Sequence, residues 1–140
     1  MRVVDTSAWI ERILDTATGQ RVARQFPEFA QCVVPTIVQL ELAKWATREA
    51  GADACEALLA ITNTCDVIPL DTEIALVAAD FCRVHKLATA DAVIYATARQ
   101  LNVDLLTCDA HFKDLPHVVF VAKRAASTST PNIRTKKPTS

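Results

Sequence analysis

The sequence predicts an α/β fold, a three-layer sandwich in which a parallel β-sheet of about five strands is covered by helices on both faces. Three observations carry this expectation. Short apolar runs alternate with longer stretches of helical periodicity, the order that βαβ units produce. The short runs, such as Val3-Val4 and Leu105-Leu106, are continuously apolar rather than alternating, which marks strands buried on both faces. Only two glycines occur in 140 residues, too few for an all-β fold rich in tight turns.

The elements follow in order. Arg2–Val4 is an apolar strand that ends at Asp5, and Thr6–Leu14 reads as a helix. A second helix is expected from about Gly19 to Phe26, then a short strand, Gln31–Val34, stopped by Pro35. Thr36–Ala50 is a strong helical segment, followed by another over Asp53–Ile61. Asp66–Ile68 is a third strand. Asp71 is the expected N-cap of a helix running to about His85. Residues 90–101 form one more helix, with Thr89 as its expected cap, and 103–106 and 118–121 are the last two strands.

Composition narrows the function classes. Hydrophobic residues make up 51% of the chain, which excludes wholesale disorder. One domain is expected over residues 1–122. Residues 123–140 form a basic tail rich in Ser, Thr, Pro and Lys, expected to be disordered and outside the fold. The net charge of −1 hides an asymmetry, because residues 1–122 carry 10 Lys and Arg against 16 Asp and Glu. An acidic body is a poor nucleic-acid binder by electrostatics alone, but it suits a protein whose carboxylates hold metal. No apolar run approaches the roughly 20 residues of a membrane span, and the N-terminus has no signal-peptide pattern. The five cysteines are odd in number and form no C-x-x-C pair. They read as reduced, mostly buried thiols, so a cytoplasmic protein without a zinc site is expected.

Four acids interrupt apolar segments: Asp5 after Val3-Val4, Glu41 in Val38-Gln39-Leu40-Glu41-Leu42, Asp91 in Ala90-Asp91-Ala92-Val93-Ile94, and Asp109 after Leu105-Leu106-Thr107-Cys108. An ionised carboxylate among apolar groups is costly unless compensated. Singly, each has a plain alternative: Asp5 and Asp109 fit cap positions, and Asp91 fits a first helical turn favoured by the macrodipole. Glu41 is harder to explain that way, because it falls within the arc of Ile37, Val38, Leu42 and Trp45 that faces the core. Asp91 shares a stripe with Ile94 and Ala98. Asp5 and Asp109 lie at the carboxyl ends of strands, where parallel sheets place ligands. Together the four point to a divalent cation. By contrast, Asp80 lies off its helix's apolar face and reads as solvated. His111 is assigned a surface or packing role, and Trp9 and Trp45 a place in the core or a dimer interface.

The run Val3-Val4-Asp5-Thr6-Ser7-Ala8, the helix Thr36-x-x-x-x-Glu41-Leu42, the segment Ala90-Asp91-Ala92-x-Ile94-x-Ala96-x-Ala98 and the segment Leu106-Thr107-x-Asp109-x-x-Phe112 resemble those of the PIN-domain ribonucleases, most of all the VapC-type toxins of toxin–antitoxin modules. The resemblance covers residues 1–121. It implies a sheet ordered 3-2-1-4-5 and an acidic cluster of Asp5, Glu41, Asp91 and Asp109, with Ser7 and Thr107 as hydroxyl neighbours. It also implies Mg²⁺- or Mn²⁺-dependent endonucleolytic cleavage of RNA (transfer or ribosomal RNA among the family's substrates), a cognate antitoxin and a homodimer. One departure concerns Lys86-Leu87-Ala88-Thr89, which stands where the family usually has a glycine- or proline-bearing loop.

Asp5 and Asp91 are the expected direct metal ligands, with Asp109 nearby and Glu41 acting through water. The expected chemistry is attack on the phosphodiester by a metal-activated water. A phosphatase-like D-x-D-x-T site would need an acid where Ser7 stands. A receiver-type signalling domain would need a phosphoacceptor aspartate after the third strand, where Ile68-Pro69-Leu70 occurs. A non-catalytic PIN-like binding protein is the remaining alternative.

Overall fold

In the computed structural model, which describes residues 1–124, five strands form one parallel sheet in the order β3-β2-β1-β4-β5. They are β1 (Arg2–Val4), β2 (Cys32–Pro35), β3 (Asp66–Ile68), β4 (Asp104–Thr107) and β5 (Val118–Phe120). Six helices connect them: α1 (Thr6–Leu14), α2 (Ala17–Gln25), α3 (Thr36–Ala50), α4 (Ala52–Thr62), α5 (Thr72–Val84) and α6 (Thr89–Gln100). The α/β/α sandwich and its strand order match the expectation.

The central strand β1 pairs Val3 with Val33 of β2 and with Leu105 of β4. Val3, Val4, Val33, Val34, Leu105 and Leu106 have no exposed surface. This is why the strands read as unbroken apolar runs: both faces of the sheet are covered. Helices pack in sequential pairs, α1 with α2, α3 with α4 and α5 with α6. Residues 92–98 of α6 are all buried, so this helix is enclosed on every side. The face expected for α3 is the one observed, with Val38 and Leu42 buried and Ile37 and Trp45 packed against the core. Trp9 is also buried. At the sheet's other end, Arg2 forms a two-pronged ion pair with Asp104, at 2.7 and 2.9 Å. That pair ties β1 to β4 and had no sequence signal.

Several boundaries differ from the sequence reading for identifiable reasons. Helix α2 begins at Ala17 rather than Gly19, capped by Thr16, whose Oγ1 accepts the Gly19 N–H at 2.8 Å. Gly19 lies inside the helix because α1 comes too close for a side chain: a Cβ there would stand 2.0 Å from the Glu11 carbonyl oxygen. Helix α4 starts one residue earlier than expected, at Ala52. Gln31 belongs to a 3-10 turn, Phe29–Gln31, so β2 starts at Cys32 and takes in Pro35. The cap of α6 is Ala88 and makes no side-chain bond, while Thr89 is the helix's first residue. Asp71 caps α5 as expected, accepting the Ile74 N–H at 2.9 Å. The last strand ends at Phe120, after which the Arg124 N–H donates to Thr18 Oγ1 at 2.9 Å and Arg21 donates to the Ala122 carbonyl. The chain thus lies against α2 up to Arg124. Most of the expected tail, residues 125–140, lies outside the described residues.

Candidate metal centre

The carboxyl ends of β1 and β4 and the first turn of α6 meet at one edge of the sheet. Asp5 follows β1 directly and is only 3% exposed. Its backbone does the work of an N-cap, its carbonyl accepting the Ala8 and Trp9 N–H groups, but its side chain makes no capping bond. Instead Oδ2 accepts hydroxyl hydrogen bonds from Ser7 at 2.7 Å and from Thr107 at 2.8 Å. The two hydroxyls are themselves 3.3 Å apart. Ser7 Oγ also accepts the Cys108 N–H, and Thr107 Oγ1 accepts the Asp109 N–H. Ser7 and Thr107 therefore bind the loop after β4 to the residue after β1, so that Asp109 is held beside Asp5.

Burial raises the Asp5 carboxyl above the ordinary carboxylate range; the Asp109 and Glu41 charges push the same way, against the Ser7 and Thr107 hydrogen bonds. Asp91 lies in the first turn of α6 with its side chain 19% exposed. Burial first, then the charges of Asp109, Asp5 and Glu41, push it up to about 6, with His111 opposing. Glu41, on the second turn of α3, is half-buried and accepts a hydrogen bond from Thr6 Oγ1 at 2.6 Å. Asp109 accepts its neighbour's His111 N–H at 2.9 Å, so it does cap the short turn Ala110–Phe112. The same carboxylate also faces the cluster. The four predicted acids, with Ser7 and Thr107, are thus brought to one place.

His111 is where the geometry goes past the sequence reading. Its Nδ1 lies 3.2 Å from Asp109 Oδ1 and 3.6 Å from Asp91 Oδ2. One ligand atom each from Asp91, Asp109 and His111 fall within 4.8 Å of one another. The side chain is 75% exposed, as a surface role required, yet it faces the acids. Thr6 also escaped the sequence reading. Only its place beside Asp5 in Asp5-Thr6-Ser7 hinted at it.

The donor set suits a hard divalent cation. It offers carboxylate oxygens with one accessible imidazole, and two of its acids are held at raised pKa by burial and by the neighbouring carboxylates. Cysteine chemistry is a poor fit. The nearby Cys108 thiol is pushed up to about 11, mainly by burial, and so stays protonated and weakly nucleophilic at neutral pH.

The PIN domain family model matches residues 2–118. The chain belongs to the PIN domain family. Among solved structures, a toxin–antitoxin complex from Klebsiella pneumoniae is similar to this PIN domain with a TM-score of 0.77 and 21% identity, over 89% of this chain and 100% of that one. VapC20 of Mycobacterium tuberculosis, a toxin that cleaves the sarcin–ricin loop, gives 0.70 and 20%, over 84% of this chain and 97% of its own. FitAcB from Neisseria gonorrhoeae gives 0.67 and 22%, over 86% and 96%. These likenesses establish the shared fold. No curated protein sequence gives a significant match. No helix among the described residues is long and apolar enough to cross a membrane.

Proposed function

We propose that this PIN domain is a Mg²⁺- or Mn²⁺-dependent endoribonuclease and acts as the toxin of a toxin–antitoxin pair. The observation that carries the reading is the gathering of Asp5, Glu41, Asp91 and Asp109, from four separate segments, at the carboxyl edge of the sheet with two of them raised in pKa. Asp5 and Asp91 would hold the ion directly, with Asp109 beside them, Glu41 acting through water and His111 as an accessory ligand. When bound, the cation supplies Lewis acidity, making a water more acidic and offsetting charge that grows on the phosphodiester.

The chain's own residues set up the rest. Ser7 and Thr107 orient the Asp5 carboxylate through Oδ2. Thr6 fixes Glu41, whose remaining acceptor capacity can take a proton from, or orient, the attacking water. His111, exposed and next to both aspartates, stands where an incoming phosphodiester would pass. In-line displacement would leave a 5′-phosphate and a 3′-hydroxyl.

The family membership supports a nuclease, and the similar VapC20 cleaves the sarcin–ricin loop, which favours structured RNA over DNA as substrate. The likeness to toxin–antitoxin complexes supports an antitoxin as partner. Exposed apolar side chains such as Leu76 and Val84 on α5 and Leu40 on α3 offer surface for an antitoxin or for a homodimer. The deciding experiment incubates purified protein with transfer and ribosomal RNA in Mg²⁺, Mn²⁺ or EDTA, beside an Asp5→Asn variant. Metal-dependent cuts that Asp5→Asn loses are expected. Cleavage at wild-type rate in EDTA, or by the variant, would reject the reading.

A further inference from the structure

A cleft of about 510 Å³ opens directly off the acidic site. Ser7 and Asp109 form its inner wall, and Phe120, Ala122 and Lys123 its outer one. The volume lies within the usual size of small-ligand pockets. Two features give it a chemical character the acidic site lacks.

One is an aromatic face. Phe120 pairs with Thr107 in the register of β4 and β5, so its side chain leaves the sheet on the same face as the hydroxyl that holds Asp5. Val118, Val119 and Val121 all join or pack against the core, but Phe120 does not. Among the described residues it also has no aromatic partner. A half-buried ring left outside the core, on the wall of a cleft beside the site, is a stacking surface.

The other is a cation. Lys123 is exposed and makes no ion pair among the described residues. The segment after β5 that carries it is held at its backbone, because Arg21 donates to the Ala122 carbonyl and the Arg124 N–H donates to Thr18. Its side chain therefore springs from an anchored backbone at the rim of a cleft that Asp109 lines on the other side. Arg21 adds a second positive charge close by, with its Nε buried and without a hydrogen-bond partner among the described residues.

We propose that this cleft seats one unpaired nucleotide of the RNA next to the scissile bond, with its base on the Phe120 ring and its phosphate on Lys123. The assignment rests on the nuclease reading and makes it more specific. Aromatic stacking and a single ammonium are how proteins hold unstacked bases and backbone. They would supply at this point the attraction that the acidic body withholds.

The test uses the full chain and a labelled single-stranded oligoribonucleotide of about 12 nucleotides. Binding is followed by fluorescence anisotropy in EDTA, and cleavage in Mn²⁺. Phe120→Ala and Lys123→Glu should each weaken binding about tenfold and raise KM more than they lower kcat, whereas Phe120→Trp should bind as the wild type does. The rise in melting temperature on adding Mn²⁺ should be the same in all, because none of these side chains belongs to the acidic cluster. Lys123 is exposed, so Lys123→Glu keeps the test decisive even if Phe120→Ala fails to fold. Wild-type binding and KM in the variants would overturn the subsite while wild-type cleavage in Mn²⁺ leaves the nuclease standing. Absence of any cleavage by the wild type, with oligonucleotide binding still lost in both variants, would reject the nuclease and keep the nucleotide site.

Discussion

Asp91 and Asp5 are the residues whose energetics depend most on what fills the site. Each is raised in pKa, Asp91 to about 6, so ionising either one in the folded protein carries a cost the unfolded chain does not bear. The sign follows from linkage: without metal, stability is highest where Asp91 is protonated and falls as pH rises from about 4 through 6. Two pKa units correspond to roughly 3 kcal/mol, an upper bound for a group that keeps some solvent contact. Metal-free protein should therefore resist urea better at pH 5 than at pH 7.5, and Mn²⁺ should reverse that order. Asp91→Asn should stabilise the metal-free protein at pH 7.5 by about 1–2 kcal/mol and abolish the Mn²⁺ effect. Urea titrations at the two pH values, with and without Mn²⁺, would read all of this; a variant no more stable than wild type at pH 7.5 would show that the Asp91 charge costs the fold nothing. Thr6 gives a second prediction at this scale. Thr6→Val deletes the 2.6 Å hydrogen bond to Glu41 at about 1 kcal/mol of stability. It should lower kcat several-fold while leaving KM near the wild-type value. Equal turnover would mean that Glu41 needs no positioning.

Elements were legible in the sequence wherever one physical signal dominated. The inner strands β1, β2 and β4 announced themselves because they are buried on both faces, and α3 because Val38, Leu42 and Glu41 share one arc. The four acids were visible for the same reason: in a wholly apolar setting a carboxylate stands out. What stayed hidden depends on how two elements approach each other. Gly19 read as the start of the second helix, yet it lies inside α2, where the lack of a side chain lets α1 and α2 touch. The prediction is direct. Gly19→Ala places a Cβ 2.0 Å from the Glu11 carbonyl oxygen and 2.7 Å from its carbon, both rigid backbone atoms. Despite the better helix propensity of alanine, the variant should lose about 3 kcal/mol and melt several degrees lower. A melting temperature at or above that of the wild type would show that α1 and α2 can part freely. His111 was hidden for a related reason. In sequence it is one residue in a polar turn, and only the packing of that turn against the start of α6 brings its Nδ1 to Asp91.

At the scale of the molecule, the problem is how an acidic body engages a polyanion. Residues 1–122 carry six more acids than bases, so the long-range field of the body would repel the proposed RNA substrate, and a bound cation and local positive charges would offset that repulsion. Those charges are unevenly placed along the chain. Lys123 stands at the rim of the cleft beside the acids, and the sequence goes on to Arg134, Lys136 and Lys137 without another acid. If these later residues reach the same RNA, each phosphate they neutralise releases counterions and steepens the dependence of affinity on salt, by about 0.7 per contact for a single strand. A chain ending at Arg124 should then bind the oligonucleotide more weakly at low salt, with the slope of log affinity against log salt reduced by about 1–2. Mn²⁺ binding should stay unchanged, because every acid of the cluster lies before residue 110. An unchanged slope in anisotropy titrations across a salt series would assign RNA attraction to the folded body alone, with Lys123 and Arg21 as its centre.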